Sequence, residues 1–230
     1  KVGGDTPEGR MIYTNFLDED GGVHADLTIS RLGVDSYRVV TGGSDGNRDW
    51  VTMRNYRDDT GLEADINIRT HDISTLGLWG PEAKNALGHF IDPSEISIDN
   101  FPFVTAKYLT LNLLGGKKID VWAARISYVG ESGWELYLNN DSEDGLALYD
   151  SLLEVGVVPV GIETYANSRR LEKSFRLQGA DLETNYNACE SAIERRLVKA
   201  ADFHGKAAHL AHREEQPSSI LCTMTLDDLN

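Results

Sequence analysis

The stretch Gly21-Gly22-Val23-His24-Ala25-Asp26-Leu27-Thr28-Ile29-Ser30-Arg31-Leu32 decides the fold class. Val23, Ala25, Leu27 and Ile29 alternate with His24, Asp26, Thr28 and Ser30. That period of two marks a strand with one apolar face. Upstream, residues 10–17 are strand-like through Met11, Ile12, Tyr13 and Phe16, and Asp18-Glu19-Asp20-Gly21-Gly22 reads as a turn. The two runs together predict an antiparallel hairpin, which residues 37–40 extend as a third strand ending at Thr41-Gly42-Gly43.

Working outward, Ser44 or Asp45 is placed to cap a helix through about residue 55. Strand alternation returns at 66–73, and residues 76–79 lead into Gly80-Pro81-Glu82-Ala83, where proline suits the first turn of a helix ending near 90. Residues 105–113 and 119–127 read as strands joined by the tight-turn pair Gly115-Gly116, and 134–138 as another. Leu146, Leu148, Leu152 and Leu153 give 144–155 a helical spacing, a second helix is predicted to end near 175, and the tail from 218 reads as the start of a strand. Strands and helices without regular βαβ alternation point to the α+β class.

The 230 residues carry 37 acidic and 22 basic side chains, a formal charge of -15. Phosphate recognition needs a basic surface, so the balance argues against a nucleic-acid partner, while it fits a salty habitat or selection for solubility. No apolar run approaches the roughly 18–20 residues needed to cross a bilayer, and the first residues lack a signal-peptide core. Cys189 and Cys222 form no CxxC pair. The composition predicts a soluble protein of a reducing compartment, with no membrane partner.

Several groups of residues bear on chemistry. Asp26 lies on the polar phase of its strand, where it is either a solvated carboxylate or, beside apolar neighbours, a base or a stabiliser of positive charge. In Tyr128-Val129-Gly130-Glu131-Ser132-Gly133-Trp134-Glu135 two glycines bracket Glu131, so the backbone is free to turn and aim that carboxylate inward. Tyr128 and Trp134 offer flat faces to an aromatic ligand; the competing reading is an ordinary exposed turn. Arg169, Arg170, Lys173 and Arg176 form a basic cluster suited to an anionic tail or to a solvated helix face. His204, His209 and His212 complete no metal-ligand pattern, and Gly42-Gly43-Ser44-Asp45-Gly46 matches no phosphate-binding loop.

In order along the chain, Gly9-Arg10-Met11-Ile12-Tyr13-Thr14, Gly21-Gly22-Val23 with Ala25-Asp26-Leu27-Thr28, Leu78-Trp79-Gly80-Pro81-Glu82-Ala83, the 127–135 turn, Arg170-Leu171-Glu172-Lys173 and Asp202-Phe203-His204-Gly205-Lys206 resemble one family. It is the tetrahydrofolate-binding aminomethyltransferase, or glycine-cleavage T-protein, family, and the wording is most similar to the folate module of the dimethylglycine and sarcosine dehydrogenases. The resemblance implies an α+β fold of two α/β subdomains with mostly antiparallel sheets, truncated at both ends. It places a partial folate-binding domain at 1–213, with a second subdomain at 61–155, and the start of a C-terminal β-barrel at 214–230.

The implied activity is transfer of an aminomethyl or methylene unit to tetrahydrofolate, with Asp26 catalytic. Glu131, Tyr128, Trp134 and Arg170 are the implied folate-binding residues, and no metal is implied. FAD is expected only in an upstream domain absent from this chain. The expected partners are a reduced folate, a small amine-derived one-carbon donor and an upstream flavin domain or subunit. The expected location is the cytoplasm, or the mitochondrial matrix of a eukaryote. The alternative is a non-catalytic binding or regulatory module on the same fold. Arg169 where leucine is usual, Ser174 where glycine is usual, and Glu194-Arg195-Arg196 where apolar residues are usual depart from the family pattern.

Overall fold

The computed structural model describes residues 6–140, 143–194, 198–215 and 217–226. Its first unit is the expected meander. Strands β1 (Met11–Leu17), β2 (Val23–Arg31) and β3 (Tyr37–Thr41) form an antiparallel sheet in the order β1-β2-β3. Asn15 lies directly across from Asp26, and Ser30 pairs with both Met11 and Arg38. Helix α1 (Gly46–Thr60) follows, longer than its predicted end near 55 and stopped by Gly61 in the left-handed conformation.

The second sheet runs β4-β7-β6-β5, all antiparallel neighbours, from β4 (Ile73–Trp79), β5 (Thr105–Asn112), β6 (Lys118–Arg125) and β7 (Gly133–Asn139). The strand expected at 66–73 instead begins at Ile73. On one face, Leu78, Leu109, Leu111, Val121, Trp134, Leu136 and Leu138 pack against α2 (Ala83–Leu87), α3 (Asp144–Glu154), Phe90 and Phe101 as one core. The period of two sends Trp122, Ala124 and Tyr137 to the other face, where they meet Met11 of the first sheet. Backbone bonds clamp the sheets at one corner, where Met11 N donates to Val104 O at 3.0 Å and Ala106 N donates to Gly9 O at 2.6 Å. One face of the second sheet is therefore apolar core and the other looks toward the first sheet.

The predicted helix ending near 175 is a π-helical turn, Thr164–Arg169, continued by the single α-turn α4 (Arg170–Glu172). Ser174 then takes a left-handed conformation (φ 59°), the physical reason a glycine suits that position. The last helix is α5 (Lys206–Glu214). The tail read as a strand carries none among residues 217–226; it is held by Leu221, whose N–H donates to Glu190 O at 2.7 Å. Glu194 pairs with Arg213 at 3.0 Å, while Arg195 and Arg196 lie outside the described residues.

Candidate active site

Asp26 sits on the central strand of the first sheet and is not a solvated surface carboxylate. The phase of β2 that looks polar in the sequence is half-buried, because it faces other residues of the fold instead of water. Tyr13, two residues from Asn15 on the neighbouring strand, donates its hydroxyl to Asp26 Oδ2 at 3.3 Å. Burial pushes the Asp26 carboxyl above its ordinary range, the negative charges of Asp45 and Asp49 add to the push, and the Tyr13 bond opposes it. Tyr13 is itself pushed up to about 12, by burial and then by the Asp26 charge. A carboxyl so placed holds a proton more readily than one in water, as a general acid or base requires.

Beside this pair runs a row of four aromatic rings. Trp79 at the end of β4 stacks on Tyr165 with centroids 5.3 Å apart, Tyr165 meets Tyr128 at 5.5 Å, and Tyr128 stacks on Phe175 at 6.0 Å with planes 13° apart. The Tyr128 hydroxyl donates to Arg176 O at 2.7 Å, and burial, with the charges of Asp26 and Asp181, pushes it up to about 12 against the pull of Arg170. Two glycines make room. A Cβ at Gly77 would lie 2.2 Å from the Trp79 ring, and one at Gly133 would lie 1.9 Å from Leu78 O.

At the Trp79–Tyr165 end stands Glu135. It follows Trp134 on β7 and so projects to the opposite face. Burial pushes its carboxyl up, opposed by the Tyr137 hydroxyl, which donates to Oε2 at 2.5 Å. Its charge in turn helps raise Tyr165, already raised by burial, to about 12. Of the two desolvated carboxylates, Asp26 thus acts on Tyr13 and Tyr128, and Glu135 on Tyr165 and Tyr137.

Three expected site residues lie elsewhere or do other work. Trp134 is wholly buried in the core between the second sheet and its helices, 6.4 Å from Phe101, and walls no site. The alternation of β7 that exposes Glu135 to the site hides Trp134 behind it. Arg170 is 5% exposed; its Nη1 pairs with Asp181 and donates to Phe175 O at 3.1 Å, while Nε donates to Ala166 O at 2.7 Å. It is an internal tie that holds Phe175 in the row through Nε and Nη1. Glu131 does not turn inward. It is part-exposed and bound by Arg169 Nη2 at 2.7 Å, and the side chain of Lys173 lies over Gly130, so the turn is pinned outward against the residues that flank α4. Tyr128 alone of the four expected binding residues lies in the row.

Among the described residues no group of three His, Cys, Asp or Glu is arranged for a metal ion, and no helix is long and apolar enough to cross a membrane. A cavity of about 290 Å³ lined by Asn187, Glu190, His212 and Glu215 shares no residue with the aromatic row.

Comparison with known proteins decides what this arrangement belongs to. The sequence model of the GCVT N-terminal domain matches residues 3–200. The chain belongs to the GCVT N-terminal domain family. Human mitochondrial dimethylglycine dehydrogenase is 35% identical over 225 residues, which span 94% of this chain and 25% of that protein. An aminomethyltransferase of Halothermothrix orenii is 30% identical over 213 residues, 90% of this chain and 56% of its own length. The crystal structure of glycine cleavage system aminomethyltransferase T from Bartonella henselae superposes with a TM-score of 0.75 over 94% of this chain and 56% of that one, at 23% identity. The chain therefore spans about a quarter to about half of the relatives it matches.

For this GCVT domain the structure adds residues that the sequence reading missed. Glu135 was legible in principle, since it lies in the same eight-residue segment as Tyr128, on the strand phase opposite the apolar Trp134, Leu136 and Leu138. Trp79 enters the sequence reading only within the segment that leads into Gly80-Pro81 and its family motif, with no site role. Tyr165 carried no signal, because its place depends on the π-helical turn.

Proposed function

We propose that this chain is a tetrahydrofolate-binding one-carbon transfer module, working within a larger amine-demethylating dehydrogenase or a T-protein-like transferase. The observation that carries the reading is the desolvated Asp26 carboxyl, set on the central strand of its sheet and coupled electrostatically to Tyr128 in a row of stacked rings. A pterin-type ligand, flat and edged with paired N–H donors, suits rings for its faces and a buried carboxylate for its edge. Among the described residues, the buried Oγ of Ser127, next to Tyr128, and Oε1 of Gln178, whose Nε2 bonds His24 O near Asp26, have no protein partner, which fits a polar guest.

When bound, tetrahydrofolate supplies the ring and side-chain nitrogens that accept a one-carbon unit. This chain's own residues do the rest. Tyr165 and Tyr128 present faces to the flat ring, Glu135 accepts from its donor edge, and Asp26 holds or releases a proton at Oδ2 while countering positive charge near it. Tyr13 keeps Oδ2 oriented. The name of the dimethylglycine dehydrogenase relatives supports a small N-methylated amine as donor. A flavin-bearing partner domain outside this chain, and a place in the cytoplasm or, in a eukaryote, the mitochondrial matrix, belong to the same proposal.

The test is calorimetric titration of the complete protein with 5-formyltetrahydrofolate, an oxidation-resistant reduced folate. Binding in the micromolar range that Tyr165→Ala weakens at least about tenfold supports the reading, since stacking is worth about 1–3 kcal/mol per ring. Absence of binding by the parent protein overturns it.

A further inference from the structure

Glu135 is flanked across the sheet by the two smallest side chains available. Its partners are Gly77 on β4 and Ala124 on β6, neither of which reaches the carboxylate with a polar group. The nearby Trp79 indole is engaged elsewhere, donating to Ile126 O at 2.8 Å. The Tyr137 hydroxyl, two residues along the same strand, therefore provides the hydrogen bond that fixes this carboxylate. Tyr137 is in turn locked: it is 7% exposed, its ring meets Trp122 edge-on at 5.0 Å, and the Arg38 guanidinium lies 4.1 Å from the Trp122 centroid and 5.5 Å from that of Tyr137.

We propose that Tyr137, held by Trp122 and Arg38, is a positioning residue that sets the plane of the Glu135 carboxylate and keeps it ionised for the paired donors of the ligand. The inference rests on the folate reading given above. Each carboxylate oxygen accepts two hydrogen bonds, so Oε2 keeps a free lone pair after binding Tyr137 and Oε1 keeps both. A ligand then meets an oriented two-oxygen edge. The groups facing Glu135 are Tyr137 on its own strand and Tyr165 on the π-helical turn, with Arg38 of β3 acting through the Tyr137 ring. Burial already favours the protonated acid, and the Tyr137 bond opposes burial. Loss of that bond leaves a buried carboxyl that protonates at higher pH and no longer accepts from the ligand.

The experiment is the pH dependence of 5-formyltetrahydrofolate affinity in the complete protein, for the parent, Tyr137→Phe, Glu135→Gln and the double variant. Tyr137→Phe is expected to weaken binding about three- to tenfold at alkaline pH and to move the acid limb of the profile upward by roughly half a pH unit or more. In the Glu135→Gln background the same change should have no further effect, because no carboxylate remains to be positioned. Site-specific 3-fluorotyrosine at 137 keeps the fold and strengthens the donor, so the acid limb must move down. An unmoved acid limb in either Tyr137 variant, or equal weakening with and without the carboxylate, overturns the inference and leaves the folate reading standing. Parent-like affinity in Glu135→Gln instead removes Glu135 from the ligand, and this inference with it.

Discussion

Asp26 shows how a single residue changes meaning when its surroundings are known. With Asn15 across the sheet and Tyr13 on its oxygen it is a desolvated carboxyl with an assigned donor. Asp26→Asn keeps the shape but neither takes a proton nor opposes positive charge. It should therefore lower one-carbon transfer by about two to four orders of magnitude while changing folate affinity little. Single-turnover methylenetetrahydrofolate formation, measured apart from amine oxidation, checks this; an unchanged transfer rate removes Asp26 from the chemistry. Asp26 also has a pH signature in the unliganded protein. A carboxyl raised in the folded state binds its proton before the unfolded chain does, so stability should rise as pH falls through the folded value and level off near the ordinary value of about 4. Chemical denaturation across that window should show a smaller rise in Asp26→Asn. The two turn-region glutamates separate cleanly by burial: Glu131→Gln should leave folate affinity within about twofold, because it loses a part-exposed ion pair. Glu135→Gln should cost about 10- to 150-fold, since a buried charge-assisted bond is replaced by a donor facing a donor. Equal losses at both positions would mean that the turn, not the strand, recognises the ligand.

At the scale of elements, the π-helical turn and α4 carry the largest surprise. They bring Tyr165 to the row and are tied down by Arg170, whose guanidinium bonds Ala166 and Phe175 carbonyls and the Asp181 carboxylate. Removing such a tie leaves Asp181 and two carbonyls short of a donor, so Arg170→Met should destabilise by roughly 3 kcal/mol. The folate site should suffer only through the displaced Phe175. Ser174, directly after α4, bears the left-handed conformation with a side chain. Ser174→Gly should stabilise by about 1 kcal/mol, read as a higher urea midpoint with unchanged slope. A lower midpoint would mean that the serine hydroxyl, not the backbone, governs the site. These elements were predicted as one ordinary helix, since the π-turn has no period of its own to read in six residues. The hairpins, by contrast, were legible, because each alternates over five or more residues and is closed by glycine-rich turns.

For the whole molecule, the formal charge of -15 sets the response to salt. Several of its cations are already committed to carboxylates, as Arg48 is to Asp45 and Asp49, and the excess acids repel one another over the surface. Raising KCl from about 0.1 to about 1 M shortens the screening length from roughly 10 to 3 Å, so the melting temperature should rise. A fall over that range would show that specific ion pairs outweigh the net repulsion. The sequence alone determined the three-stranded meander, most of the second sheet and the acid-rich surface. Alternation, turn residues and charge are local or additive properties, readable without knowing what each segment touches. It also singled out Asp26, through a resemblance in the wording of its motifs. Only the tertiary structure decided which face of each strand meets the site. The second sheet has protein on both sides, so the strand period says that Trp134 and Glu135 part company but not which of them faces the core and which the aromatic row. That choice was made when Leu87, Phe90 and Leu148 closed over one face, and left Glu135 and Tyr137 on the side of the aromatic row.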